Sequence, residues 1–181
     1  MLVQAGGSAA IRGFRLQTFY ILHRLLENQV DSFQPESAED LLRLTPDGIP
    51  QEYIQVKSYT NLTISDLIKA GEGKTAELPY LKRVLSRLNS GNAQERLVVI
   101  GEFGQEMRKA WQGDRKSQDK IRKTLHRHSY SDDEIDQLFS NLQLEEVDEI
   151  EQDQQIVNYL QEGMTAGDVR TAREFLGFWL L

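Results

Sequence analysis

Residues 51–59, QEYIQVKSY, alternate in a way that decides how this chain folds. On an extended strand Tyr53, Gln55, Lys57 and Tyr59 point to one face, while Ile54, Val56 and Ser58 point to the other. One face is apolar and the other carries an amide two residues from an ammonium. Taken alone, the stretch describes a half-solvated strand with Lys57 in water. Its neighbours give that polar face a second reading.

Upstream, SAEDLLRL (residues 37–44) is joined to the strand through TPDG (45–48), whose Pro46 and Gly48 suit a turn, so the two segments form a β-hairpin. With antiparallel pairing that sets Asp40 opposite either Tyr53 or Gln55, Asp40 shares a face with Gln55 and Lys57. A slip of one residue would separate them. Before the hairpin, residues 11–27 (IRGFRLQTFYILHRLLE) read as a helix with Ile11, Phe14, Ile21, Leu22 and Leu25 on one stripe. Gln17 falls inside that stripe and must find a partner or face a cleft. Packed on the hairpin, it becomes a fourth member of a cluster of one carboxylate, two amides and a lysine. Carboxylate and amide oxygens can hold Mg²⁺, and a nearby lysine can orient a water or stabilise charge on a phosphoryl group.

Downstream, Thr63 and Asp66 in TISD suit a helix start, and the short helix they open ends near Gly71. Pro79 opens another helix with Leu81, Val84, Leu85 and Leu88 on its buried stripe, closed by NSG at 89–91. LVVIGEF (97–103) is a buried central strand. The remainder reads as mostly helical, with a capping box at Ser131 and Glu134 ahead of Ile135, Leu138 and Phe139.

Composition narrows the class. The 181 residues can bury a real core, and the absence of cysteine excludes disulfides and thiolate metal sites, which suits a reducing, cytoplasmic setting. No apolar run approaches the roughly eighteen residues of a membrane helix, and the N-terminus lacks the pattern of a signal peptide. The net charge of −7 is unevenly spread. Residues 1–68 carry 5 basic and 8 acidic side chains, residues 69–128 carry 14 and 7, and residues 129–181 carry 2 and 13. Local potential governs attraction to phosphate, so the basic middle block provides a nucleic-acid surface on an acidic protein. A solvated helical surface is the other reading of that block.

The segments AGGSAAIRGFRLQTFYILHRLLE (5–27), PESAEDLLRL (35–44) and EYIQVKSYTNLT (52–63), in that order, resemble the N-terminal double-stranded-DNA endonuclease domain of bacterial anti-phage effectors. Those domains are similar to the PD-(D/E)xK restriction-endonuclease superfamily and occur fused to cyclic-oligonucleotide sensors or NTPase modules. The resemblance implies an α/β fold, a restriction-endonuclease-like mixed sheet flanked by helices. It places a nuclease core at residues 1–128 and an acidic helical extension at 129–181. It implies a metal-dependent deoxyribonuclease that hydrolyses phosphodiester bonds when clustered or activated, using Mg²⁺ or in its place Mn²⁺. Its implied partners are double-stranded DNA, a sensor or NTPase module and further copies of the chain.

Carried over by position, Asp40 is the metal-binding acid, Gln55 takes the D/E place, Lys57 is the motif lysine and Gln17 closes the site from its helix. Glu36 and Glu39 are further candidate metal ligands, with strand alternation turning Glu39 away. Gln55 departs from the commoner motif by offering an oxygen without a charge. From the basic block, Lys82, Arg83, Arg87, Arg108, Lys109, Arg115 and Lys116 are expected to track DNA phosphates. A catalytically inactive DNA-binding or assembly module on the same fold is the alternative. A helical interaction domain is a third reading, favoured by the acidic tail.

Other patterns carry less. GEGKT (71–75) ends like a phosphate-binding loop, but the first glycine of that pattern falls on Ile68 and no strand leads into it. His126 and His128 lack an evident third metal ligand. Trp111 and Trp179 read as packing residues. The C-terminal run REFLGFWLL (173–181) is expected either to associate with another copy or to lead into a further module.

Overall fold

The computed structural model describes residues 13, 15–24, 32–35, 40–69, 78–91 and 93–161. Helix α1 (residues 15–24) is followed by strands β1 (Ser32–Pro35), β2 (Leu41–Leu44) and β3 (Pro50–Leu62), and then by helices α2 (Ile64–Leu67) and α3 (Tyr80–Ser90). Strand β4 (Gln94–Phe103) leads into α4 (Gln105–Trp111), α5 (Arg115–Arg127), α6 (Asp132–Asn141), β5 (Leu142–Val147) and α7 (Glu149–Gln161). The strands form one sheet in the order β1-β2-β3-β4-β5. The first two pairings are antiparallel and the last two parallel, so the chain is α/β with a mixed sheet flanked by helices.

The alternation of β3 divides the core into two layers. Ile54 and Val56, beside Val98 and Ile100 of β4, pack with Leu41 against Leu16 and Tyr20 of α1. On the opposite face Leu97, Val99 and Leu142 meet Leu81, Val84 and Leu85 of α3, Met107 of α4, Ile121 and Leu125 of α5, and Ile135 and Leu138 of α6. Helix starts follow their local chemistry: Thr63 with Asp66, and Ser131 with Glu134, form reciprocal capping boxes, and Asp114 accepts from the Ser117 amide at 2.9 Å. Within β4, Gly101 has φ +127, and a Cβ there would lie 1.9 Å from the Tyr59 carbonyl oxygen. Only glycine lets the two strands run this close where their register shifts beyond Tyr59.

Two expectations are corrected. The buried side of α1 is set by Leu16 and Tyr20, each 1% exposed, whereas Ile21 and Leu22 of the expected stripe are half-buried. The i, i+4 pair wins because the Tyr20 hydroxyl reaches across the sheet to donate to Glu145 at 3.3 Å. Residues 142–147 form a strand rather than helix. Leu142 and Leu144 face the helical layer, and the two glutamates that follow, Glu145 and Glu146, are held by Arg96 at 2.6 Å and by the Phe103 amide at 2.7 Å.

Buried charge is paired on both faces. On the α1 side Glu52, fully buried, accepts from Arg96 at 2.6 Å, and Arg96 also donates to Glu145 at 2.6 Å. Burial alone would lower the Arg96 pKa, but the two carboxylates outweigh it and raise it. On the other side Arg87 of α3 makes a two-pronged bond to Glu95, at 2.6 and 2.7 Å, while its guanidinium lies 4.9 Å from the centre of the Tyr53 ring. Removing one member of such a pair strands the other in a low-dielectric site. Arg87→Ala is therefore expected to lower the unfolding free energy by about 3 kcal/mol or more. Glu106→Ala, which frees the exposed Lys120 partner, should cost under about 1 kcal/mol. Urea denaturation of the two variants checks the contrast.

Candidate active site

The site begins where β2 begins. Its register with β3 pairs Leu41 with Ile54 and Leu42 with Tyr53, and one further step sets Asp40 beside Gln55, the second of the two registers expected. Asp40 lies just outside the strand, so Val56 faces a side chain in place of a neighbouring backbone. The Asp40 carboxylate accepts from the Val56 amide at 2.7 Å, and Gln17 of α1 donates to the Val56 carbonyl at 2.8 Å. Gln17 thus finds the partner that its place in α1 demands, although it reaches the strand from the side opposite Gln55.

Gln55 is 6% exposed and hydrogen-bonded at both ends of its amide. Its Nε2 donates to Asp40 Oδ2 and faces the Val56 carbonyl at 3.5 Å, and its Oε1 accepts from Arg83 Nη2 at 3.3 Å. Arg83 also donates to the Leu78 carbonyl at 3.2 Å and lies 5.7 Å from the centre of the Tyr80 ring. Lys57 follows Gln55 on the same face, about 7 Å further along the strand. Half-buried, it makes no hydrogen bond or ion pair among the described residues.

The structure therefore brings Asp40, Gln55 and Gln17 together around Val56, with Lys57 next in line. Sequence reasoning assigned Arg83 to DNA and missed its contact with Gln55. The signal was present, since a buried glutamine needs a donor for its oxygen and Arg83 lies on the polar side of the helix opened by Pro79. Glu36 and Glu39 lie outside the described residues, as do GEGKT, Trp179 and the run 173–181. Among the described residues no group of three or more acidic, histidine or cysteine side chains is placed to hold a metal ion.

The donor chemistry at Asp40 and Gln55 nonetheless suits Mg²⁺, which binds oxygen, accepts as few as one or two protein carboxylates and keeps several waters. The orientation of Gln55 is the exception. Its oxygen is turned to Arg83 and its NH₂ to the carboxylate, so it would ligate only after that amide turned.

The expected phosphate-tracking residues divide into two groups. Lys82 pairs with Glu134 at 2.9 Å, Arg87 with Glu95, and Arg108 with Glu146 at 2.8 Å. Lys109, Arg115 and Lys116 are exposed, and Lys116 continues along α5 into Lys120, Lys123 and Arg127 at helical spacing, all exposed. His126 bonds the Tyr130 carbonyl at 3.0 Å and lies 3.2 Å from Asp132. Trp111 packs on Phe139 and donates to the Leu142 carbonyl at 2.8 Å, a packing role.

No protein-family model matches the chain, and the search of curated proteins returns no match. Among solved structures the chain is similar to that of a Moraxella osloensis Cap4 SAVED/CARF-domain containing receptor, with a TM-score of 0.52 and 14% identity. The match covers 93% of this chain and 42% of the receptor, so the chain spans less than half of that protein, and at this identity the likeness is one of fold. No helix among the described residues is long and apolar enough to cross a membrane.

A carboxylate at position 55 would face Asp40 where an amide now donates to it. Gln55→Glu is therefore expected to lose about 2 kcal/mol of stability in metal-free buffer at neutral pH, even with Arg83 available on its other side. Millimolar Mg²⁺ or Mn²⁺ should return most of that loss, which thermal denaturation with and without chelator would reveal.

Proposed function

We propose that the chain is the DNA-cleaving domain of a bacterial anti-phage effector, a metal-dependent endonuclease acting on double-stranded DNA. The observation that carries this reading is Lys57, a half-buried residue whose ammonium has no partner among the described residues and follows the Asp40–Gln55 pair on one face of one strand. An ammonium left without a protein partner next to this pair is open to a phosphate oxygen, with which it makes a charge-assisted hydrogen bond.

In this reading Asp40, with the Gln55 oxygen as second ligand, would hold Mg²⁺, or Mn²⁺ in its place. The bound cation supplies Lewis-acid polarisation of the phosphoryl oxygen and a more acidic water. Lys57 donates to a non-bridging oxygen of the scissile phosphate or orients the attacking water, and so offsets the charge that builds as the phosphorus becomes five-coordinate. Gln17 keeps the Val56 backbone in place, which fixes the strand carrying both Gln55 and Lys57.

Two likenesses support the setting. The sequence resembles nuclease domains fused to cyclic-oligonucleotide sensors, and the fold neighbour is a receptor that contains a SAVED/CARF domain and is more than twice as long as the matched part. A sensor joined to this domain would gather several copies, and paired copies can cut both strands of a duplex. The catalytically inactive module is favoured by one observation, that Asp40 and Gln55 satisfy each other without a cation. Plasmid cleavage separates the two. Mg²⁺-dependent nicking or linearisation, by the chain alone or held as a dimer through a fused coiled coil, should vanish in Asp40→Asn and in Lys57→Ala while both variants stay folded. Cleavage that survives in either variant, or that never occurs in the dimerised protein, removes the nuclease assignment.

DNA is proposed to lie along the exposed cations of α5. Lys116→Glu with Lys123→Glu should weaken duplex binding irrespective of sequence, and the slope of log affinity against log salt should become shallower by about 2. Fluorescence anisotropy across a salt series measures both quantities.

A further inference from the structure

Gln55 has one amide orientation that its neighbours accept. Its NH₂ faces two groups that only accept, the Asp40 carboxylate and the Val56 carbonyl, and its oxygen faces the Arg83 guanidinium, which only donates. Turning the amide over would set oxygen against carboxylate and NH₂ against guanidinium, exchanging attraction for repulsion at both ends. A cation shared between Asp40 and Gln55 needs the reverse, because only the amide oxygen can ligate and it would have to face the carboxylate. Because the amide oxygen and NH₂ lie on opposite sides of the group, buried Gln55 held between Asp40 and Arg83 turns its oxygen to one of them at a time.

We infer that Arg83 is a positioning residue that gates the cation site: its bond to the Gln55 oxygen opposes divalent-cation binding at Asp40, and DNA phosphate releases that bond. This rests on the metal-dependent reading of the site. A charge-assisted bond from a guanidinium to phosphate is stronger than one to a neutral amide oxygen, so phosphate competes with Gln55 for the Nη2 donor while Nη1 keeps its bond to the Leu78 carbonyl. Phosphate arriving at Arg83 therefore frees Gln55 to turn, and cation affinity rises only when substrate is present. Linkage requires the converse too, so a bound cation strengthens the hold of Arg83 on phosphate.

Mn²⁺ binding to the whole chain, followed by electron paramagnetic resonance of the free ion, reads the gate without any turnover. Arg83→Met keeps the aliphatic stem against Tyr80 and removes the bond to Gln55. It should bind Mn²⁺ about tenfold more tightly than the unsubstituted chain, the equivalent of one hydrogen bond to a charged group. Arg83→Lys, with a single-pronged and weaker hold, should fall between them and carries the test if Arg83→Met does not fold. Adding Asp40→Asn must abolish the gain. In a Lys57→Ala background that leaves DNA intact, a short duplex should tighten Mn²⁺ binding beyond the duplex's own uptake when Arg83 is present, and leave the Arg83→Met protein unchanged. Equal, Asp40-dependent affinity in the Arg83 variants and the unsubstituted chain would overturn the gate while leaving the metal site standing. A duplex effect that persists without Arg83 would overturn the coupling to phosphate. No Asp40-dependent uptake in any of these proteins would overturn both the gate and the metal-dependent reading.

Discussion

The bond from the Val56 amide to the Asp40 carboxylate anchors the site, and it exists because β2 starts too late to cover that part of β3. A central strand cannot leave backbone groups unpaired beneath a packed helix without a cost comparable to a lost hydrogen bond. Two side chains take the place of the missing strand, Asp40 for the amide and Gln17 for the carbonyl. Asp40 becomes a carboxylate fixed at a strand end, and Gln17 ties α1 to the same residue. Because the following residues of β3 are held in register with β4 out to Tyr59, the position of Lys57 inherits this precision.

The two faces of the sheet solve the problem of charge differently. Under α1 the Glu52–Arg96–Glu145 chain runs sideways across three strands and is closed by Tyr20, whose hydroxyl pKa is raised by burial and then by Glu145. That network stitches β3, β4 and β5 together. On the helical face the cations of α3 come from the helix and meet partners on strands and on α6: Arg87 meets Glu95, Arg83 meets Gln55 and Lys82 meets Glu134. Much of the basic excess in the middle of the chain is thus spent inside the fold. What remains outward is concentrated on α5, where Lys116, Lys123 and Arg127 are exposed and Lys120 pairs at the surface with Glu106.

How much of this could be read from the residues depended on whether the signal was local. The β2–β3 hairpin announced itself through period-two alternation and a Pro-Asp-Gly turn, and the capping boxes at Thr63 and Ser131 marked two helix starts within one residue. Strand β5 was hidden because consecutive glutamates in LQLEEV look solvent-bound until Arg96 and the Phe103 amide are known to face them. Sorting the basic block by face could not separate Lys82 and Arg87 from Lys116, since an internal ion pair is decided by an acid far away in the sequence or on another element. For the candidate site, the juxtaposition of Asp40, Gln55 and Gln17 around Val56, with Lys57 next on the strand, was legible from spacing. The contact of Arg83 with Gln55 was not, because it follows from the direction in which one buried amide points.

That direction also explains what a glutamine achieves at position 55. Two carboxylates this close repel unless a cation or a proton stands between them, so an acid here would make the metal-free site an unstable one. An amide removes the repulsion and adds a donor, which lets Asp40 keep its charge and the strand end keep its order without any ion. In the proposed metal-dependent reading the same amide would weaken the pull on Mg²⁺, because a neutral oxygen contributes less than a charged one and is held elsewhere by Arg83. Stability without metal and affinity for metal would then be set against each other through a single side chain. Under the metal-dependent reading proposed above, a site built this way would rest in its metal-free form and depend on whatever draws Arg83 aside, which would make the guanidinium, rather than the carboxylate, the element that decides when a cation binds.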